Sequence, residues 1–392
     1  MALKFSVALI SSLFLLASIA NIADSAIFDV TKSYGAKTNG DIAKALTDAW
    51  KDACAAEGSN TVVVPKGTYQ LSKVTFPGPC NGPIGLQVSG TLVAPGNPGQ
   101  LKDAWITFLR IDQFTLSGGG VLDGNGESTW KDHGCDKSGS CGTLPTSVRF
   151  DFLTNSVIQD ITSLNSKNFH FNLLGCESLT MQRLTITAPE TSPNTDGIHM
   201  GRSSGITITD VKIATGDDCI SIGDGSENVT ITKVTCGPGH GISIGSLGKY
   251  QNEEPVRGIT VTDCTFLNTQ NGVRIKTWPA SPSSGIASNL HFESITMTNV
   301  QNPILIDQEY CPYGQCKAQV PSKIKISDVT FKDIKGTSAG PEAVKLACSK
   351  GVPCENVSLS GINLKSTTGE AQAVCRNVKP KFSGTNNPPP CK

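Results

Sequence analysis

From Phe114 to Ile362 one pattern of apolar and polar positions recurs. In each copy apolar side chains hold the first, third and sixth places, with Thr, Ser, Lys or Asp between them. The clearest copies are Leu179/Met181/Leu184, Ile206/Ile208/Val211, Val229/Ile231/Val234 and Ile259/Val261/Cys264. Leu290/Phe292/Ile295, Ile324/Ile326/Val329 and Val357/Leu359/Ile362 continue the series, with weaker copies at Ser156/Ile158/Ile161 and Phe114/Leu116. Period-two alternation is what a half-buried strand requires, and the skip from third to sixth place marks a bend between two short strands. The clear copies begin 27, 23, 30, 31, 34 and 33 residues apart. Such variable steps suit a solenoid, whose loops absorb insertions.

A second strand series precedes these blocks, at Ile198, Ile220-Ser221-Ile222, Ile242-Ser243-Ile244, Val273-Arg274-Ile275 and Ile304-Leu305-Ile306. Two or three strands per step, with no helix in the repeat, predict an all-β fold: a single-stranded right-handed parallel β-helix. A propeller blade needs four strands in about 40–50 residues, and the leucine-rich signature is missing. Solenoid ends need covers. Between Asp41 and Cys54, Ile42, Leu46, Ala49, Trp50 and Ala53 fall at helical spacing, which predicts an N-terminal capping helix with Asp41 near its start. The segment with Cys375, Cys391 and Pro388-Pro389-Pro390 is expected to close the other end. No interdomain linker interrupts the pattern, so residues 27–392 read as one domain.

Residues 1–20 have the layout of a secretory signal peptide: Lys4, then the apolar runs Val7–Ile10 and Leu13–Ala17. Cleavage is expected between positions 20 and 26. Fourteen cysteines fit an oxidising compartment. Cys135/Cys141, Cys311/Cys316, Cys348/Cys354 and Cys375/Cys391 are close pairs, with Cys219/Cys236 a further candidate. No CxxC occurs, so zinc is not indicated. Asn228-Val229-Thr230 and Asn356-Val357-Ser358 are glycosylation sequons. With 33 basic and 33 acidic side chains, the chain lacks the basic excess of a nucleic-acid binder. The reading is a secreted, extracellular, monomeric protein without a membrane span.

Ile198, Ile220 and Ile242 are 22 residues apart and should stack at about 4.8 Å per coil. Asp196, Asp218 and His240 stand two residues before them and should stack as well, with Asp217 beside Asp218. On the next coil Arg274 and Lys276 alternate with Val273 and Ile275, which turns both cations outward. Asn-Thr-Asp-Gly and Gly-Asp-Asp are also turn sequences. Turn preference alone does not account for carboxylates recurring in register with a histidine and two cations. Clustered carboxylates raise one another's pKa, and paired carboxylates in different states are the tools of glycoside hydrolysis.

Asn194-Thr195-Asp196, Gly216-Asp217-Asp218, Gly239-His240-Gly241 and Arg274-Ile275-Lys276 resemble, in order, the four signature motifs of polygalacturonases, the family 28 glycoside hydrolases. The likeness extends to Gly118–Gly124 and to Tyr310, at the place of a substrate-contacting tyrosine. The runs Gly239–Lys249 and Glu254–Trp278 are most similar to plant pollen-type exopolygalacturonases, which suggests pollen expression and allergenicity. The resemblance implies hydrolysis of α-1,4-galacturonosyl bonds of de-esterified pectin with inversion, and no cofactor. It makes Asp217 the general acid, while Asp196 and Asp218 hold and deprotonate water and His240 tunes the acid. Arg274 and Lys276 would bind substrate carboxylates, with Asn194 and Tyr310 as further contacts. A one-coil separation is shorter than the roughly 6.5–9.5 Å between inverting carboxyls, so inversion follows from the resemblance and not from the spacing.

Gly241-Ile242-Ser243-Ile244-Gly245 matches a nucleophile elbow. Its near-copy Cys219–Gly223 one coil earlier marks it as repeat texture. Gly248-Lys249 lacks the upstream glycine of a P-loop. His133, His170, His199 and His291 show no metal-ligand spacing and read as structural or surface residues. Three rivals to the exo-acting hydrolase stay open: an endo-acting polygalacturonase, a pectate lyase, and a non-catalytic wall-binding protein.

Overall fold

A computed structural model describes residues 25–132, 144–312 and 314–391. The expected signal peptide, the candidate pair Cys135/Cys141 and His133 fall outside them. Every strand pairing is parallel, and each coil supplies three ladders. One face is an 11-stranded sheet running from Val74–Pro77 to Gln372–Arg376. The other two ladders merge into a 20-stranded sheet, because middle coils cross the bend in one strand, such as Ser204–Ala214 or Gly285–Val300. The result is the parallel β-helix that the periodicity predicts.

Apart from one block, the predicted registers are those observed. Leu179, Ile206, Val229, Ile259 and Leu290 succeed one another in the ladder, and Ile198, Ile220, Ile242, Val273 and Ile304 do so on the third face. One block is corrected. Leu290 pairs with Val329 and Phe292 with Phe331, so the equivalent copy is Val329/Phe331/Ile334. Ile324 and Ile326 lie opposite Gly285 and Ala287 instead. The strand Ile324–Ser338 keeps alternating for 15 residues, so the apolar pattern occurs twice within it and sequence alone selected the wrong one.

Apolar side chains fill the interior in columns. Near the N-terminus Phe76, Phe108 and Phe150 stack with ring centroids 5.1 and 5.6 Å apart. The helix Ala43–Ala55 caps this open end, burying Leu46, Ala49, Trp50 and Ala53. Trp50 lies 4.9 Å from Phe76 and 5.9 Å from Phe108, while Asp41 accepts the Ala43 N–H at the helix start. Cys54–Cys80 staples helix to coil, a pair the sequence spacing did not suggest. The pairs Cys219–Cys236, Cys311–Cys316, Cys348–Cys354 and Cys375–Cys391 are present, the last tying the final coil. Cys176 and Cys264 are free and buried among apolar residues. Among the described residues no helix is long and apolar enough to cross a membrane.

Candidate active site

The polar motifs converge on the 11-stranded face. The turn before the strand Ile198–Gly201 carries Asn194 and Asp196, and the turn before Ile220–Ile222 carries Asp217 and Asp218. Thr195 couples them: its hydroxyl accepts the Gly216 N–H at 3.0 Å and bonds the Ser192 hydroxyl at 2.7 Å. The turns approach so closely that a Cβ on Gly216 would collide with the Ser192 carbonyl. One coil later Gly241 adopts φ +88 under the Asn271 and Gly272 carbonyls, where a side chain has no room. These two glycines bring the carboxylates and His240 into one patch.

Three carboxylates stand there in three different environments. Asp218 is 1% exposed. Its Oδ1 accepts from Arg274 Nη2 at 2.8 Å and from the Ser243 hydroxyl at 3.0 Å, and its Oδ2 accepts from Lys276 Nζ at 2.7 Å. Burial opposes its ionisation, but Lys276 and Arg274 overcome that and hold the carboxyl down to about 2. Asp196 is 6% exposed and, among the described residues, has no cation bonded to it. Burial and the neighbouring Asp217 and Asp218 push its pKa well up, against one hydroxyl bond from Ser221 at 2.6 Å. Asp217 is the most accessible of the three. Its Oδ1 accepts the Asp218 N–H at 2.8 Å and meets His240 Nδ1 at 3.0 Å. Two buried carboxylates driven apart in proton affinity, beside a third that reaches solvent, form an acid–base site.

Arg274 and Lys276 face out of the barrel, yet each is only 7% exposed because both are bonded to Asp218. Tyr310 lies beside them, its ring 5.7 Å from the Arg274 guanidinium and 5.1 Å from the Lys276 ammonium. A cleft of about 390 Å³ opens over the carboxylates, with Asn194, Asp196, His199, Asp217, Lys276 and Tyr310 among its walls. Arg274 instead lines an adjoining hollow of about 360 Å³ with Lys345 and Arg376, and Tyr310 divides the two. Lys249, Tyr250 and Trp278 add a further wall. Glu253 pins that loop by accepting the N–H groups of Gly248, Lys249 and Tyr250 at 2.6–2.9 Å.

Ligand atoms of Asp217, Asp218 and His240 lie within 4.8 Å of one another, close enough for a metal. The donor set does not fit one, because both Asp218 oxygens are taken by fixed cations and Ser243. Several residues in and beneath the cleft escaped the sequence reading. Ser221 and Ser243 looked like strand texture, though each sits between two inward isoleucines and therefore points at the carboxylates. His199, read as structural or surface, lines the cleft. His170 is wholly buried against Ser163, and His291 is on the surface bonded to Asn289.

A β-helix bearing such a carboxylate cleft defines a polysaccharide-cleaving acid–base enzyme. Residues 54–385 match the glycosyl hydrolases family 28. An exopolygalacturonase of Platanus acerifolia is 56% identical over 370 residues, covering 93% of this chain and 98% of that protein. An exopolygalacturonase of Oenothera organensis is 54% identical, covering 90% and 98%. Among solved structures, the endo-xylogalacturonan hydrolase of Aspergillus tubingensis superposes with a TM-score of 0.79 at 27% identity, covering 92% of this chain and 100% of that one. The chain belongs to glycosyl hydrolases family 28.

Proposed function

We propose that this chain is an exo-acting polygalacturonase, hydrolysing α-1,4-galacturonosyl bonds of de-esterified pectin and releasing galacturonic acid. The observation that carries this reading is the unequal carboxylate trio: among the described residues, Asp218 is neutralised by two cations, Asp196 by none, and Asp217 stands partly exposed beside His240. Asp217 gives its proton to the leaving glycosidic oxygen, since of the three clustered carboxylates it is the most accessible from the cleft. Asp218, with both oxygens covered, stays ionised and holds its neighbours. Asp196 accepts the proton of the attacking water, and a carboxylate with raised affinity is the better base. Inversion is adopted from the family.

Lys276, Arg274, Lys345 and Arg376 line the two hollows and favour a polyanion. Asn194 and Tyr310 are placed to contact the sugars. Exo action rests on the two plant relatives named as exopolygalacturonases. Secretion to the cell wall suits the leader sequence and the disulfides, and the exposed Asn228 and Asn356 are read as glycan acceptors. A pectate lyase would need a calcium cage and a basic proton abstractor, and the two basic side chains beside the carboxylates, Arg274 and Lys276, are held in ion pairs with Asp218.

The test is product analysis on polygalacturonate with chelator present, beside Asp217→Asn. Saturated galacturonate monomer from the outset, with little early loss of viscosity, is expected from the wild type. A fast viscosity drop would replace exo with endo action, and an unsaturated product would replace hydrolysis with elimination.

A further inference from the structure

One outward column on the cleft face joins residues of the scheme above to a histidine that it leaves without a role. His199, Ser221, Ser243 and Arg274 pair in register across four coils. A serine hydroxyl has one hydrogen, and each serine here gives it to a carboxylate: Ser221 to Asp196 at 2.6 Å, Ser243 to Asp218 at 3.0 Å. Each oxygen then accepts from its outer neighbour. Arg274 Nε donates to Ser243 at 2.9 Å, and His199 Nδ1 lies 2.7 Å from Ser221. The two halves are one device with different ends, a guanidinium serving Asp218 and an imidazole serving Asp196.

With Asp196 ionised and taking the one hydrogen of Ser221, only an Nδ1–H of His199 can complete the bond between them. The ring is held by stacking on Phe169, with centroids 4.5 Å apart and planes at 23°. Charged groups around it are Lys276, Asp218 and Asp224, and those around Asp196 are Asp217, Asp218 and Lys276. Burial and the Lys276 cation push His199 down to about 4, so it is neutral above that pH. Among the described residues Asp196 Oδ2 carries the Ser221 bond and no bond to Oδ1 is seen.

We propose that His199 is a positioning residue for hydrolysis: through Ser221 it holds Asp196 Oδ2 and leaves Oδ1 to take the proton of the attacking water. The proposal rests on the hydrolase reading. In the step, a water O–H proton passes to Asp196 Oδ1 while the water oxygen bonds the anomeric carbon. The glycosidic C–O bond breaks, and Asp217 protonates the departing oxygen.

The experiment is kcat and KM against pH on polygalacturonate for wild type, His199→Ala, His199→Asn, Ser221→Ala and the His199/Ser221 double alanine variant. His199→Ala is expected to lose about ten-fold in kcat, with KM changed less than about two-fold. Its acid limb should move to higher pH, because weakening a donor to the ionised base raises the pKa of that base. His199→Asn, whose amide N–H can reach Ser221, should restore most of both. Ser221→Ala should shift the limb at least as far, and adding His199→Ala should then cost little more. An unmoved limb, a loss that asparagine does not rescue, or additive losses would each overturn the proposal. The ¹⁵N shifts of His199 in the wild-type protein give a check free of variants, and an Nε2–H tautomer above pH 5 would overturn it too. If the wild type releases no galacturonate, the hydrolase reading fails and takes this proposal with it.

Discussion

Two of the columns of polar residues that run along this β-helix stand in contrast, one at a corner and one on the cleft face. At the bend of the 20-stranded sheet Arg183, Asp210, Lys233, Asp263, Ser294 and Asp333 succeed one another in register, each with φ between 51 and 56°. All six are exposed. On the cleft face Asp196 and Asp218 succeed one another just as regularly, yet both are buried. Recurrence in register is therefore not what marks the site. The corner column recurs because each coil must turn through the left-handed region, where aspartate and asparagine are tolerated. The cleft column is marked by burial of charge, which costs several kcal/mol per ion unless paired, and by the two cations that supply the pairing for Asp218.

The largest effect that separates the columns should come from Asp217→Asn. Loss of the proton donor is expected to cut kcat by about 10²–10⁴, with thermal unfolding unchanged, because this carboxyl is partly exposed. Comparable loss on an activated aryl galacturonide, whose leaving group needs no protonation, would show that Asp217 is not the acid.

Lys276→Met should cost stability rather than only rate. It removes one of two cations from Asp218 and leaves buried charge, an expected loss of about 3–5 kcal/mol in denaturant unfolding. The pH dependence follows from the sign of the shift. With its pKa depressed, Asp218 contributes stability above the ordinary carboxylate range and loses it as pH falls toward about 2. In Lys276→Met acid unfolding should begin at higher pH. An unchanged acid midpoint would show that Arg274 alone suffices.

Asp196 has the opposite sign. Its raised pKa makes the folded state bind the proton more tightly than the unfolded chain, so stability falls as pH rises above the ordinary carboxylate range. Asp196→Asn should abolish turnover and yet stabilise the fold at neutral pH by about 1 kcal/mol, since an amide oxygen still accepts from Ser221. A destabilised variant would mean the site is not under electrostatic strain.

How much of this was legible in the sequence depended on what each position has to satisfy. The interior columns were readable because an inward position between two polar neighbours must be apolar. They misled only at Ile324–Ser338, where one long strand satisfies the rule twice. The turn motifs gave Asp196, Asp217, Asp218 and His240, and the structure brings all four together. Ser221, Ser243 and His199 were not legible. A polar residue between two apolar ones is ordinary strand texture, and its meaning lies in which carboxylate the neighbouring coil places beside it. The outward turn of Arg274 and Lys276 was legible, but their burial was not, since it follows from partners 56 and 58 residues away. The sequon asparagines carry a similar ambiguity. Asn228 and Asn356 sit in a second corner column with Asn155, Asn289 and Asp328, all at φ 48–57°, so asparagine is favoured there whether or not a glycan is attached.

The smallest expected effect lies in the corner column and sharpens the contrast most directly. Asp263 has φ +54 and an exposed side chain. Glycine relieves the left-handed strain but widens the unfolded ensemble, so Asp263→Gly should change stability by less than about 0.5 kcal/mol. Valine cannot adopt that backbone without a clash between its Cβ branch and the carbonyl, so Asp263→Val should cost about 1–2 kcal/mol. Neither should alter kcat, KM or the pH profile. A changed profile in Asp263→Gly would mean that the corner charges reach the cleft through the field of the whole coil, and the separation between the two columns would then be one of degree.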